Sequence, residues 1–205
     1  MDRYEGSFVV FEGGDESGKT THARWIAEQR GAVFTYEPGG TAGSEEYRKA
    51  LMHSEVSHRA EALLFAADRA EHVHKVIRPA LEDGRDVVCD RYIGSSLAYQ
   101  SYGRGFELAD IWKFSKFATE GLLPDLVLLL HIPYEAYAAR RQQSLKGITR
   151  FDREAEDFHR RVLEGYLDLA SRDREKWVII DGTQTRENVR REICEVLAKR
   201  LGWEL

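Results

Sequence analysis

The sequence predicts an α/β fold: a parallel sheet of five strands with helices on both faces. Three observations lead there. Short apolar, β-branched runs alternate with stretches of helical periodicity, the pattern of β–α–β units wound into one sheet. Leu126-Val127-Leu128-Leu129-Leu130 is apolar at every position, as suits a parallel strand covered on both sides. Gly13-Gly14-Asp15-Glu16-Ser17-Gly18-Lys19-Thr20 has the spacing Gly-x4-Gly-Lys-Thr between a strand-like run and a helix-like one, the setting of a phosphate loop.

In chain order, residues 7–12 read as the first strand and residues from about 18 to 30 as a helix, with Ala23, Ile26 and Ala27 apolar and Gly31 at its end. Residues 32–36 form a second strand. Glu37-Pro38-Gly39-Gly40-Thr41 follows as a tight loop, where Pro and two Gly stop the strand. A short helix spans about 43–53 and carries Arg48. A long one runs from the Ser57 N-cap to Asp83 before Gly84, and Pro79 is expected to kink or shorten it near Arg78. Residues 86–90 give a third strand, ending in Asp90-Arg91-Tyr92. Helical pattern returns at 94–101 and 107–119, the fourth strand is 126–130, and 133–145 is helical. Lys146 to Asp152 is polar, contains Gly147 and reads as an exposed, mobile loop. A helix over 154–171, a strand over 178–181 and a helix over 185–201 complete the chain.

A chain of 205 residues, 42% of them hydrophobic, suits one domain (1–205) with a mobile lid at about 145–153. No apolar run reaches the length of a membrane span, and Met1 to Glu5 has no signal-peptide pattern. Cys89 and Cys194 imply neither a disulfide framework nor a zinc site, which fits a reducing cytoplasm. The net charge of −5 argues against a nucleic-acid partner, which needs a broad basic surface. It leaves room for a nucleotide, which needs only a few cations in one cleft.

The phosphate loop carries the first site. Its glycines let backbone N–H groups surround phosphate oxygens at the positive end of a helix. Lys19 can reach the β- and γ-phosphates, and the Thr20 hydroxyl can ligate Mg2+. Asp90 lies at the carboxyl end of a strand, where it can hold a metal-bound water beside Thr20, and Arg91 can grip a second phosphate. A strand-end ion pair is the plainer alternative. Phe65 and Arg69, four apart on one helix, could stack on a base and bond its edge. By themselves they are better explained as a core ring and a solvated cation. Arg48, Arg140, Arg150 and Arg153 are each, singly, more simply surface charges. Arg150 and Arg153 gain interest by flanking a glycine-containing loop that could close over a reacting phosphoryl group. The seven His have no metal-ligand spacing, and His72 with His74 reads as structural or solvated.

With these residues in hand, the chain resembles the thymidylate kinases, within the nucleoside monophosphate kinase group of phosphate-loop proteins. The matching segments are Phe11-Glu12-Gly13 with the phosphate loop, Glu37-Pro38-Gly39-Gly40-Thr41, Leu63-Leu64-Phe65-Ala66-Ala67-Asp68-Arg69, Asp90-Arg91-Tyr92 and Ala98-Tyr99-Gln100. Arg104-Gly105 and Tyr166-Leu167 also fit. The match runs from about residue 7 to 185. The resemblance implies transfer of the ATP γ-phosphoryl group to dTMP, with Mg2+, in a cytoplasmic homodimer with a short lid. It puts ATP on Gly13, Gly14, Asp15, Glu16, Ser17, Gly18, Lys19, Thr20 and Thr21, with Arg140 along the adenine and Gly182, Thr183 and Gln184 at its border. It puts dTMP against Asp15, Pro38, Arg48, Phe65, Arg69, Arg91, Ser96, Tyr99 and Gln100. There Phe65 stacks on thymine, Arg69 bonds its carbonyl edge, and Tyr99 crowds a 2′-hydroxyl. Catalysis falls to Lys19, Arg91 and a lid arginine, Arg150 or Arg153, and the metal to Thr20 and Asp90.

Three departures stand out. Some members carry arginine in the phosphate loop where this chain has Glu16, so the catalytic cation is expected from the lid. Many have arginine where this chain has Tyr36, and the lid is poor in arginine. Two rival readings remain: a kinase for another nucleoside monophosphate or a deoxynucleoside, and a non-catalytic nucleotide sensor. A GTP switch would be expected to carry Asn-Lys-x-Asp, a tetrapeptide this chain lacks.

Overall fold

A computed structural model describes residues 4–144 and 149–205. Five strands, β1 (Phe8–Glu12), β2 (Val33–Tyr36), β3 (Val87–Asp90), β4 (Leu126–His131) and β5 (Trp177–Asp181), form one sheet of order β2-β3-β1-β4-β5. Every neighbouring pair is parallel. The expected α/β architecture is the observed one.

The two-residue period of a strand divides the core in two. From β1, Phe8 and Val10 face one side and Val9 and Phe11 the other. Val9 and Phe11 meet Ala23, Ile26 and Ala27 of α1 (Lys19–Arg30) and Val189, Ile193 and Leu197 of α9 (Arg186–Leu201). Phe8 and Val10 meet the helices of the opposite face. These are the long helix that begins as α3 (His58–His72), α5 (Ile93–Ser96), α6 (Leu108–Ala118) and α8 (Glu156–Arg172). Two shorter helices, α2 (Glu45–His53) and α7 (Tyr134–Gln143), lie at the carboxyl edge of the sheet, and a 3-10 turn spans Phe151–Arg153.

The caps follow sequence chemistry. Ser57 Oγ accepts the Ala60 N–H, and Gly31 closes α1 in the left-handed conformation. Two stretches depart from the expected helices. The long helix reaches Glu82, next to its expected end at Asp83, and is not shortened near Arg78; it widens into π-helical turns over Val73–Ile77 and continues as α4 (Arg78–Glu82). A wide turn ahead of Pro79 accommodates a ring that has no N–H to give to the preceding turn. The expected helix at 94–101 is α5 followed by a second π-helical stretch, Leu97–Gly103. The expected lid falls partly on residues 145–148, outside the described residues. No helix among the described residues is long and apolar enough to cross a membrane.

Candidate active site

The sheet order reverses direction across β1, and at such a switch point the loops leaving the strands open a crevice at their carboxyl ends. The loop after β1 takes positive φ at Gly13 (141°), Glu16 (57°) and Gly18 (91°). At 141° only glycine is comfortable, which is why the loop opens on one. Lys19 folds back over the loop: its Nζ donates to the Gly14 carbonyl at 2.6 Å and to Ser17 Oγ at 3.4 Å. Burial, reinforced by Arg91, lowers its pKa to about 8.

Thr20, in the first turn of α1, donates its hydroxyl to Asp90 Oδ2. Asp90 Oδ1 is buried and has no partner among the described residues. A hydroxyl beside an unpaired carboxylate oxygen, at the phosphate end of a cleft, fits a Mg2+ that keeps most of its waters.

Arg91 directly follows β3 with a left-handed backbone (φ 73°), and both of its guanidinium NH2 groups are bonded. Nη2 donates to Asp15 Oδ1 (2.6 Å) and the Tyr99 hydroxyl (3.4 Å); Nη1 donates to the Gly13 carbonyl (3.2 Å), Ser95 Oγ and the Tyr166 hydroxyl (both 3.1 Å). Asp15 also accepts from the Tyr99 hydroxyl at 2.9 Å. Burial works against its ionisation, but Arg91, Lys19 and Tyr99 together outweigh that and hold the carboxyl near 2. Behind Arg91, the buried Glu12 carboxylate accepts from the Tyr92 N–H, the Ser95 N–H, Ser95 Oγ and the Tyr166 hydroxyl. Burial raises its pKa despite those bonds. The Arg91 guanidinium thus stands on a buried carboxylate, through Ser95 and Tyr166.

A cleft of about 680 Å3 joins these groups, within the size range of small-molecule sites. The phosphate loop lines one end with Asp15, Glu16, Gly18, Lys19, Thr20 and Thr21, next to Asp90 and Arg91. Pro38, Arg48, Phe65, Ser96, Tyr99 and Gln100 line the other. Arg48 is fixed there by donating to the Pro38 carbonyl at 2.7 Å. Gln100 donates from Nε2 to Glu61, which leaves its buried Oε1 unpartnered among the described residues.

Several expected residues lie elsewhere. Arg69 does not share the cleft wall with Phe65. It is 1% exposed, donating to Glu37, Ser96, Ser115 and the Tyr92 carbonyl, so it underlies the wall where a direct bond to a base had been expected. The period of a helix gives direction but not depth: Phe65 sits at the cleft, and Arg69, one turn on, sits under it. Arg69 and His72 both pair with Glu37, pinning the loop that follows β2. Arg150 is likewise committed, to the Leu51 carbonyl at 2.5 Å and to Glu61 at 2.6 Å, and neither it nor the exposed Arg153 lines the cleft. Among the described residues the cleft-facing cation on that side is Arg141, paired with Asp152 at 2.9 Å, which sequence reasoning passed over for its neighbour. Adjacent helix positions point about 100° apart, so only one of the two can face the cleft. Arg140 lies outside the cleft lining and bridges the phosphate loop to the loop after β5, donating to the Glu16 and Gly182 carbonyls, beside the residues expected at the adenine. Thr183 turns onto Asp181 and Gln184 onto Glu192, both exposed beside that bridge. Gly13, Gly14 and Ser17 shape the loop from behind its lining face. Arg24 and Ser95, ordinary helix residues by pattern, were missed, and Glu12 and Tyr166 were noted only as parts of matching segments.

Known proteins resemble this chain over nearly its whole length. The family model for thymidylate kinase matches residues 11–193. A thymidylate kinase of Pelotomaculum thermopropionicum is 42% identical over 93% of this chain and 92% of its own. One of Thermosynechococcus vestitus is 42% identical over 97% and 89%. The crystal structure of thymidylate kinase from Ehrlichia chaffeensis superposes with a TM-score of 0.75 at 30% identity, covering 94% of this chain and 98% of that one. With a phosphate loop, a second arginine-lined end and near full-length similarity all present, the chain belongs to the thymidylate kinase family.

Proposed function

We propose that this protein transfers the γ-phosphoryl group of ATP to dTMP, giving dTDP and ADP. The observation that carries this reading is a single cleft that runs from a phosphate loop, with Arg91 bonded beside it, to a second end lined by Arg48, Phe65 and Gln100. A nucleotide sensor has no need of that second cationic end.

The acceptor phosphate lies between Arg48 and Arg91, which screen its repulsion from the donor phosphates. Its oxygen attacks the γ-phosphorus in line as the ADP oxygen leaves, with no covalent enzyme intermediate. Lys19 neutralises charge on the moving group. Thr20 and Asp90 are the residues to hold Mg2+, which supplies charge neutralisation between the phosphates when bound. Arg141 is placed to add a cation from the lid side; its pairing with Asp152 keeps it at the cleft. Arg140, with Gly182, Thr183 and Gln184 beside it, borders the donor base. At the acceptor base, the Phe65 ring offers a stacking face and Gln100 Oε1 an acceptor for the thymine N3–H. Tyr99, held by Asp15 and Arg91, stands where a ribose 2′-hydroxyl would crowd it.

The test is ADP release from Mg-ATP with dTMP, dUMP, UMP, CMP, AMP, GMP and thymidine offered separately. Strong turnover with dTMP, weaker with dUMP and little with the rest is expected. Preference for a purine monophosphate would discard the base assignment, and tight ATP binding without turnover on any acceptor would discard the reaction. The single domain with a short lid and the homodimer belong to the same reading. Leu63 (54% exposed) on α3 and Phe117 (88%) on α6 leave an apolar face on two packed helices, suited to a second copy. Phe117→Glu is expected to shift sedimentation toward monomer; an unchanged dimer would reject that face.

A further inference from the structure

Glu61 lies on α3 behind the base end of the cleft, 0% exposed. Its Oε1 accepts from Gln100 Nε2 at 2.8 Å and from Arg104 Nε at 3.3 Å. Its Oε2 accepts from Arg104 Nη2 at 3.1 Å and Arg150 Nη2 at 2.6 Å. Both cations are anchored in turn. Arg104 pairs with Glu154 at 2.6 Å and stacks on Phe158, and Arg150 donates to the Leu51 carbonyl and stacks on Phe151. The carboxylate therefore has no second position to take.

A carboxylate accepts hydrogen bonds and donates none. An amide facing it has one stable orientation, NH2 toward the carboxylate and oxygen away. Reversed, the Gln100 oxygen would face the Glu61 oxygens with no proton between them, inside a buried site where unpaired polar atoms cost most. We propose that Glu61 is the positioning residue for base selectivity: it locks the Gln100 amide so that the cleft presents an acceptor to the pyrimidine ring. A thymine or uracil ring brings an N3–H to that acceptor. A cytosine ring brings an N3 lone pair, and two acceptors then meet. This rests on the reading of the cleft as a pyrimidine monophosphate site, and it makes selection depend on a residue that touches no substrate.

The test is the ratio of kcat/KM for dTMP over dCMP in the full chain and in Glu61→Gln. A glutamine at 61 pairs with the Gln100 amide in either sense, so Gln100 can turn its NH2 to the cleft. The ratio is expected to fall about 10-fold or more, largely through a gain with dCMP. Glu61→Asp keeps the acceptor and is expected to keep the ratio even where turnover drops. Since Glu61→Gln leaves two guanidinium groups around a neutral amide, the double variant Glu61→Gln/Arg150→Met restores the charge balance and is measured alongside. A role confined to stability lowers both substrates in parallel; an unchanged ratio in Glu61→Gln or in Glu61→Gln/Arg150→Met, whichever folds, overturns the assignment. A wild-type chain that prefers dCMP would overturn this inference and the underlying reading together, whereas wild-type dTMP preference with an unchanged variant ratio removes only the role of Glu61.

Discussion

Replacing Arg91 by methionine removes one positive charge from the acceptor end while keeping most of the side chain's volume. A guanidinium and one phosphate charge about 4 Å apart, at an effective dielectric near 20, attract by about 4 kcal/mol. At about 1.36 kcal/mol per decade of rate, that sets a ceiling near 10^3. The Arg91 side chain is 16% exposed, so water recovers part of the loss, and kcat/KM for dTMP is expected to fall about 10^2–10^3-fold. ADP release at saturating Mg-ATP with dTMP varied gives this number. The same assay with ATP varied is expected to show KM for ATP changed by only a few fold, because Lys19 and the loop amides remain. Arg91 is also the chief attraction that keeps the Asp15 carboxyl near 2. A folded-state pKa below the ordinary carboxylate value adds stability above that value, and the gain is lost as pH falls toward 2. In Arg91→Met the largest part of this gain is lost at neutral pH, so the difference in Tm from wild type is expected to be widest near pH 7 and to shrink in acid. A loss of ATP affinity equal to the loss for dTMP, or a kcat/KM within about threefold of wild type, would refute the division of the cleft into donor and acceptor ends.

The remaining predictions concern the donor side and the lid side. Lys19 has a folded pKa of about 8 against an ordinary 10.5, so between those values the unfolded chain holds more protons and stability gains as pH rises. Phosphate binding reverses the shift, so calorimetry in buffers of different ionisation enthalpy at about pH 8.5 is expected to show proton uptake with ATP that Lys19→Met lacks; no uptake would place Lys19 away from the phosphates. Asp90→Asn is expected to raise the Mg2+ needed for half-maximal turnover about 10-fold or more, and an unchanged Mg2+ titration would move the metal elsewhere. Arg141→Ala is expected to lower kcat about 10-fold or more, while Arg150→Ala acts mainly on KM for dTMP through Glu61; the reverse pattern would restore Arg150 as the catalytic cation.

What could be read from the sequence was whatever depends on local spacing. The phosphate loop, the parallel five-stranded sheet and the strand-end position of Asp90 and Arg91 all follow from runs and periods a few residues long. Depth did not follow. Arg69 and Phe65 are equally four apart whether one or both reach the cleft, and only the buried Glu37, Ser96 and Ser115, distant in sequence, decide it. The choice between Arg140 and Arg141 turned on the absolute rotation of α7, which its sparse apolar pattern does not fix. Glu12 and Glu61 were unreadable as anchors because a buried carboxylate looks like a surface one until its partners fold around it.

The wide-turned stretch Leu97–Gly103 carries both Tyr99 and Gln100 into the cleft. An α-helix turns about 100° per residue, and a π-helical turn holds one residue more than an α turn closes on. This segment is therefore defined by how many residues it has as much as by which ones. Remove one, and an ordinary helix could close over the gap with its backbone bonds intact, yet everything beyond it would be rotated away from its partners. A substitution in that stretch alters one side chain, but a change in its length is a frame error in space, felt at the cleft and along α6 at once.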